Sequence, residues 1–291
     1  MIGIIYHCYG YNGSQRVEIG EPIENKRVCR FCGKKTPEVT FRHEAHAVSE
    51  SIGCDKFINY EECDACNKKF SAIEQDFYRR HAFDLSFANI GGKKGDRIIG
   101  TKDFTIFNIN GCLQIEIKSA KKFEEKVTSI EHGKDAVSLY IEKSISKYIP
   151  QNIYKCLCKY VLGMLNPTFL KYFTGTIDWI NNEIASQTLP PVLTYSPDHI
   201  LEHPRIVYFI RAQDIEELPF AIGCLEFGNK GYFFIIPFCG GDDLPNTESI
   251  IYRNFKETVN KIFGNRSYEL QDLSDHVKIK LRYLWISKTL L

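Results

Sequence analysis

No stretch of this chain is apolar for the roughly 18 to 20 residues that crossing a bilayer takes. The most apolar segment, Gly231 to Phe238, has the length of a strand. An excess of charge is missing too. The 291 residues carry 37 Lys and Arg against 36 Asp and Glu, a formal net charge of +1. Attraction of the whole surface to nucleic acid is thereby excluded, and any phosphate-binding surface has to be local. Solenoid repeats and low-complexity tracts are absent. No secretory leader is expected, because Met1 to Tyr6 runs into Tyr and Gly without a basic start or an apolar region of proper length. Residues 190–240 contain no Gly-rich phosphate loop, nucleophile elbow or metal motif, and Gly240-Gly241-Asp242-Asp243 reads as a loop between strand and helix.

Cysteine, in contrast, is abundant. There are eleven, an odd number, and Cys156 and Cys158 read as core positions. A secreted disulfide scaffold is shorter and evenly paired, so a reduced cytoplasm with some thiolates on metal fits better. Cys29-Arg30-Phe31-Cys32 and Cys63-Asp64-Ala65-Cys66 form two CxxC knuckles. Two residues between thiols let both sulfurs reach one ion from a tight turn, and four thiolates close a tetrahedral shell around zinc at about 2.3 Å each. A closed shell leaves no open position, so this Zn²⁺ is expected to be structural. Gly33 follows the first knuckle, where backbone conformation is often strained. Cys54 lies between the knuckles and is not needed as a ligand.

The pattern along the chain predicts an α+β protein: a small zinc-bound module followed by a larger mixed body with an antiparallel sheet and several helices. Ile2 to Cys8 reads as a strand, and a helical pattern begins near Asn67 with Phe70, Ile73 and Phe77 on one face. Arg97 to Ile99, Phe104 to Ile109 and Cys112 to Ile117 are strand-like, the last two forming a hairpin. Pro150 opens a helix carrying Ile153, Tyr154, Leu157, Tyr160, Val161 and Met164, stopped by Asn166-Pro167. A second helix is expected from about Phe169 or Ile177 to Ala185. Ile206 to Arg211, Phe220 to Phe227 and Tyr232 to Phe238 read as a meander, followed by a helix around Ser249 to Phe263 and a strand from Val277 to Trp285. The expected division is 1–26, an N-terminal strand segment; 27–85, the zinc module; 86–130, a β-hairpin extension; and 131–291, an α+β C-terminal domain for substrate, partner or regulatory contact.

Between the knuckles lies Phe41-Arg42-His43-Glu44-Ala45-His46-Ala47-Val48-Ser49-Glu50; Asn67 follows the fourth cysteine and Glu74 stands seven residues on. A histidine between zinc knuckles and an asparagine fixed by the second knuckle form a constrained pair, so His46, Asn67 and Glu74 are expected to converge. An imidazole takes a proton from water at neutral pH. An oxygen-rich cluster beside it suits Mg²⁺ or Mn²⁺, and a metal next to a base is what phosphodiester hydrolysis needs.

The joint pattern CRFCGK…F…EAH…SE…G…ECDACN…F…E resembles bacterial HNH endonucleases of the ββα-metal fold, over roughly residues 27–80. The resemblance implies that His46 is the general base and that Asn67 orients the base strand or ligates the metal. It further implies that Glu74 is a candidate ligand of a catalytic divalent ion, with Cys29, Cys32, Cys63 and Cys66 on structural zinc. It implies a 5′-phosphate and a 3′-hydroxyl as products, DNA as substrate, and a role in a restriction or anti-phage system. Ala45 stands where many such enzymes have a metal ligand, with Glu44 or His43 as substitutes if the strand bulges. Ser49 replaces a usual proline. Glu74 or Asp76 would be the last ligand, and His81 is too far along the helix.

Two further features point to nucleic acid. Glu116-Ile117-Lys118, with Asp103 upstream, matches the E-x-K of a second nuclease class, the PD-(D/E)xK fold. Lys278, Lys280 and Arg282 alternate with apolar residues and give a strand one basic face able to track a phosphate backbone; Lys118, Lys121 and Lys122 form another cluster. The rival from another class is a non-catalytic zinc-stapled module that binds nucleic acid or protein. A protein partner or self-association through the C-terminal domain is a further expectation; membrane association is not.

Overall fold

The computed structural model describes residues 5–91, 99–100, 103–109, 112–125, 127–132, 136–142, 147–183, 188–241, 245, 247–264, 266–280 and 283–289. In chain order the elements begin with β1 (Tyr6–Asn12), β2 (Val17–Ile19), β3 (Phe57–Asn59), α1 (Asp64–Phe87), β4 (Ile99–Gly100), β5 (Phe104–Ile109) and β6 (Cys112–Ile117). Then come α2 (Ala120–Glu124), β7 (Val127–His132), β8 (Ala136–Glu142), β9 (Lys147–Tyr148), α3 (Pro150–Met164), α4 (Thr174–Ile180), β10 (Val192–Tyr195), β11 (Leu201–Arg211), β12 (Ala221–Gly228) and β13 (Lys230–Ile235). The chain closes with α5 (Ile250–Phe263), β14 (Glu269–Gln271), β15 (Ile279–Lys280) and β16 (Tyr283–Thr289). The architecture is mixed α+β, as the pattern predicts.

Its centre is a six-stranded antiparallel sheet in the order β1-β11-β12-β13-β10-β14. The predicted meander supplies the middle of it. Gly228-Asn229 makes the two-residue turn between β12 and β13, with Phe227 opposite Lys230 and Gly228 at φ 53°, a left-handed value suited to glycine. These strands read as nearly unbroken apolar runs because both faces are covered. Tyr208, Leu225, Phe227, Tyr232 and Phe234 point to one core, and Phe209, Ile222, Cys224, Phe233 and Ile235 to another, which Tyr252, Phe255 and Val259 of α5 cover.

The first core is shared widely. It joins Cys29, Phe31, Val48 and Phe57 from the cysteine region to α1, α3 and the sheet. The residue-85 boundary therefore lies within one continuous core, and residue 130 falls inside β7, which pairs with β8. α3 lies in the middle: every residue but Asn152 is buried, including Lys155 and Lys159. A helix buried all round is a core helix. Asp76 of α1 caps it, its Oδ2 accepting from Ile149 N at 3.2 Å and Asn152 Nδ2 at 2.8 Å.

Several expectations change at their edges; the first strand, expected from Ile2 to Cys8, is Tyr6–Asn12 among the described residues, and the one expected from Ile206 begins at Leu201. α1 begins at Asp64 because Cys63 is already its N-cap. The second helix is split into a 3-10 turn, Pro167–Tyr172, and α4, and residues 184–187 lie outside the described set. The single strand expected from Val277 to Trp285 is two: β15 pairs with β9 and β16 with β8. Lys278 is exposed; Arg282 and the Lys280 side chain lie outside the described residues.

His81 shows how α1 meets the sheet. The ring is fully buried, with Nε2 2.9 Å from the Tyr232 hydroxyl and Nδ1 3.1 Å from Asp84 Oδ2. Burial lowers its pKa to about 4, against the opposing pull of Asp84. The unfolded chain binds this proton near the ordinary value of about 6.5 and the folded chain near 4, so stability from this group is complete above 6.5 and lost as pH falls towards 4. The expected loss is about 3 kcal/mol. Urea unfolding of wild type and His81→Asn across that window checks it. The variant's stability is expected to depend less on pH, and parallel pH profiles would contradict the assignment.

Candidate functional site

The site is built where the two knuckles close. The first is a tight hairpin: Val28 bridges Lys35, Cys29 N donates to Lys34 O at 2.8 Å, and Gly33 N to Cys29 O at 2.8 Å. Gly33 sits at φ 69°, a conformation that strains a side-chain-bearing residue. The second knuckle is the start of α1, where Asn67 N closes the first turn on Cys63 O at 2.9 Å. Arg30 N donates to Glu61 O at 2.8 Å and joins the two.

The sulfurs of Cys29, Cys32, Cys63 and Cys66 all lie within 4.8 Å of one another, the only such group of potential ligands among the described residues. A tetrahedron with bonds of about 2.3 Å has edges of about 3.8 Å, and Cys32 Sγ lies 3.8 Å from Cys63 Sγ. The electrostatics agree. The hydrogen bond from Cys66 brings the Cys29 thiol down to about 5, against the effect of burial, while the same contact pushes the Cys66 thiol far up. Four sulfurs this close resist ionising together, and a divalent cation removes that conflict. The cluster could hold a metal ion such as zinc. Cys54 stays out of it, buried, its thiol raised by burial to about 11.

His46 lies on a short paired segment. It bridges Ile58, with Ala47 N donating to Phe57 O and Asn59 N to Ala45 O, both at 2.8 Å. Residues 45–47 thus run antiparallel to β3, and α1 follows. Alternation buries Ala45 and Ala47 and leaves the His46 side chain 19% exposed. Ser49, where the resemblance expects proline, caps a 3-10 turn over Glu50–Ile52 by accepting from Ser51 N at 3.2 Å. That turn carries Glu50 back to His46, placing Oε1 3.1 Å from Nδ1. Sequence reasoning missed Glu50; the signal was its i+4 spacing from the histidine.

The remaining predicted residues separate into those that meet His46 and those that do not. Glu74 meets it through Lys159, whose ammonium lies 2.9 Å from Glu74 Oε1, 3.0 Å from the His46 carbonyl oxygen and 3.3 Å from Glu62 Oε2. Burial lowers a lysine pKa, but Glu62 and Glu74 more than offset that and hold Lys159 above the ordinary range. Burial pushes the Glu62 carboxyl up to about 7 against the pull of Lys159. Asn67 is half-buried in the first turn of α1 and makes no side-chain hydrogen bond among the described residues. Glu44 points elsewhere, to Arg16 Nη2 at 3.3 Å on the surface. His43 is exposed, its backbone N–H donating to Asp64 Oδ1 at 3.0 Å.

Asp103 lies opposite Lys118, whose backbone N–H donates to the Asp103 carbonyl at 2.9 Å. Glu116 and Lys118 are exposed at β6, while Asp103 is buried with its Oδ1 3.7 Å from Lys122 Nζ. No helix among the described residues is long and apolar enough to cross a membrane. No protein family, curated protein or solved structure matches this chain.

Proposed function

We propose that this chain is an HNH-type endonuclease that hydrolyses DNA phosphodiester bonds, with His46 as general base. One observation carries the reading: residues 45–47 pair with β3, α1 follows directly, and the four sulfurs tie its start to the first knuckle, while His46 Nδ1 rests on Glu50. A zinc-stapled binding module has no need of a carboxylate–imidazole pair.

With Nδ1–H donated to Glu50, the lone pair of the neutral imidazole lies on Nε2. That nitrogen takes a proton from water while the water oxygen bonds to phosphorus. The P–O3′ bond breaks, and the departing 3′-oxygen takes a proton from solvent. Mg²⁺ or Mn²⁺ supplies positive charge at the phosphate in such hydrolyses. Of the residues named for it here, Glu44 is held by Arg16, Glu74 by Lys159 and Asp76 by Asn152 and Arg79, which leaves the Asn67 amide and the exposed His43 ring. The acidic part of the expected ligand set does not fit a catalytic ion. A role in restriction or anti-phage defence, and partner contact through residues 131–291, belong to the same proposal.

Plasmid cleavage with Mg²⁺ or Mn²⁺ tests it, beside a chelator control and His46→Ala. The variant is expected to keep its zinc and fold and to lose a general base's contribution, about 10²- to 10⁴-fold in rate. Equal cleavage by both proteins would place the chemistry elsewhere, with Glu116 and Lys118 the next residues to replace. DNA binding without cleavage would favour the binding module.

A further inference from the structure

Lys159 is unusual in where it starts and where it ends. It springs from α3, more than eighty residues beyond the second knuckle, and its side chain is only 1% exposed. Three oxygens surround its ammonium: it donates to Glu74 Oε1 from α1 and to the His46 carbonyl from the paired segment, and it forms an ion pair with Glu62 Oε2 from the residue before Cys63. These are hard oxygen donors from three separate pieces of chain, two of them carboxyl oxygens, of the kind that hold a divalent ion.

We propose that Lys159 is a positioning residue whose ammonium stands where a divalent ion would otherwise join Glu62 and Glu74, and that it sets the His46 segment against α1. Glu74 is then a partner of Lys159 and not a metal ligand. The effect on catalysis rests on the nuclease reading above; the positioning of the segment does not.

The geometry around Lys159 supports the inference. The carbonyl it holds belongs to the residue whose ring is offered as the base, so movement of the ammonium moves the backbone that carries the ring. Next along the chain, Ala47 packs on Gly163 of the same helix so closely that a Cβ there would come within 2.9 Å of the Ala47 Cβ. α3 thus touches the segment twice, by a hydrogen bond at His46 and by direct backbone approach at Ala47. An arginine in place of Lys159 would bring a longer, planar group into a closed space.

The test uses the full chain with Lys159→Met, Glu74→Gln and the charge-neutral triple variant Lys159→Met/Glu62→Gln/Glu74→Gln. The first readout is hydrogen exchange at the amides of Ala47 and Asn59, which close the pairing with β3. Lys159→Met is expected to speed exchange there by about tenfold or more, while amides in β11 and β12 keep their wild-type rates and zinc content is unchanged. If Lys159→Met does not fold, the triple variant carries the same readout, because it removes the unpaired carboxylates together with the ammonium. Wild-type exchange at Ala47 and Asn59 in either folded variant overturns the proposal.

The second readout is the Mn²⁺ dependence of cleavage. Glu74→Gln is expected to lower kcat with the half-saturating Mn²⁺ concentration unchanged within about twofold, and a rise of about tenfold or more would make Glu74 a metal ligand and overturn its assignment to Lys159. A wild-type chain that cuts nothing with Mg²⁺ or Mn²⁺ fails the nuclease reading alone; the exchange readout then upholds or overturns Lys159 by itself.

Discussion

Cys29→Ser is expected to lose its metal and, with it, the ordered fold of the region from the first knuckle to the start of α1. Serine keeps the size of the side chain but not the soft thiolate that zinc prefers. Structural zinc binds zinc-finger peptides with apparent free energies of about 10–16 kcal/mol at neutral pH, as large as the whole stability of a typical domain. Here the region has little else in regular structure. Between β1 and α1 there are only β2, β3 and short 3-10 turns. Cys29, Phe31 and Phe41 also lie in the core shared with α3 and the sheet, so the damage is not confined to a surface loop. Zinc per chain by elemental analysis is expected to fall from about one to near zero, and the cooperative melting transition to be lost or moved far down. Cys8→Ser is the control, because Cys8 is exposed on β1 and outside the four-sulfur group. Wild-type zinc content and melting in Cys29→Ser would remove the metal from the account of this fold.

Local signals in the sequence were readable where the physics is local. CxxC spacing places two sulfurs on one turn whatever follows, so the four ligands could be picked out and the structure gathers them. The helical period of Ile153, Tyr154, Leu157, Tyr160 and Val161 gave α3, and the apolar runs of 206–238 gave the meander. The interactions around His46 were not readable in the same way. Lys159 looks like any polar residue in a helix, and only the tertiary fold puts it on Glu74 and His46 from 85 and 113 positions away. Glu74 itself reads as an available carboxylate until that lysine is placed. Burial on both sides of β12 and β13 also hides which face is which, since strands covered on both sides lose the alternation that would mark one.

Arg30→Met is expected to destabilise the chain by about 3–5 kcal/mol, the scale seen when one partner of a buried ion pair is removed. Arg30 sits between Cys29 and Cys32, and its side chain is fully buried. Its Nη1 donates to Leu162 O at 2.7 Å, Leu165 O at 3.0 Å and Gly163 O at 3.2 Å, carbonyls at and just past the C-terminal end of α3, where helix carbonyls run short of backbone partners. Its Nη2 lies 2.8 Å from Glu61 Oε2. A positive group at this end also complements the helix dipole. Burial lowers the Arg30 pKa, with Glu61 opposing, but a guanidinium stays charged throughout the ordinary pH range. Methionine fills most of the volume and satisfies none of these acceptors, leaving Glu61 without its cation. Lysine keeps the charge but cannot fork to three carbonyls and a carboxylate at once, so Arg30→Lys is expected to recover only part of the loss. Urea unfolding of both variants at neutral pH, with zinc content measured alongside, gives the comparison. A stability for Arg30→Met within about 0.5 kcal/mol of wild type, the range of an ordinary surface change, would mean that the knuckle and α3 are held together by the shared core alone. The expected loss, with zinc retained, would make Arg30 the link through which the metal clasp fixes the helix that carries Lys159.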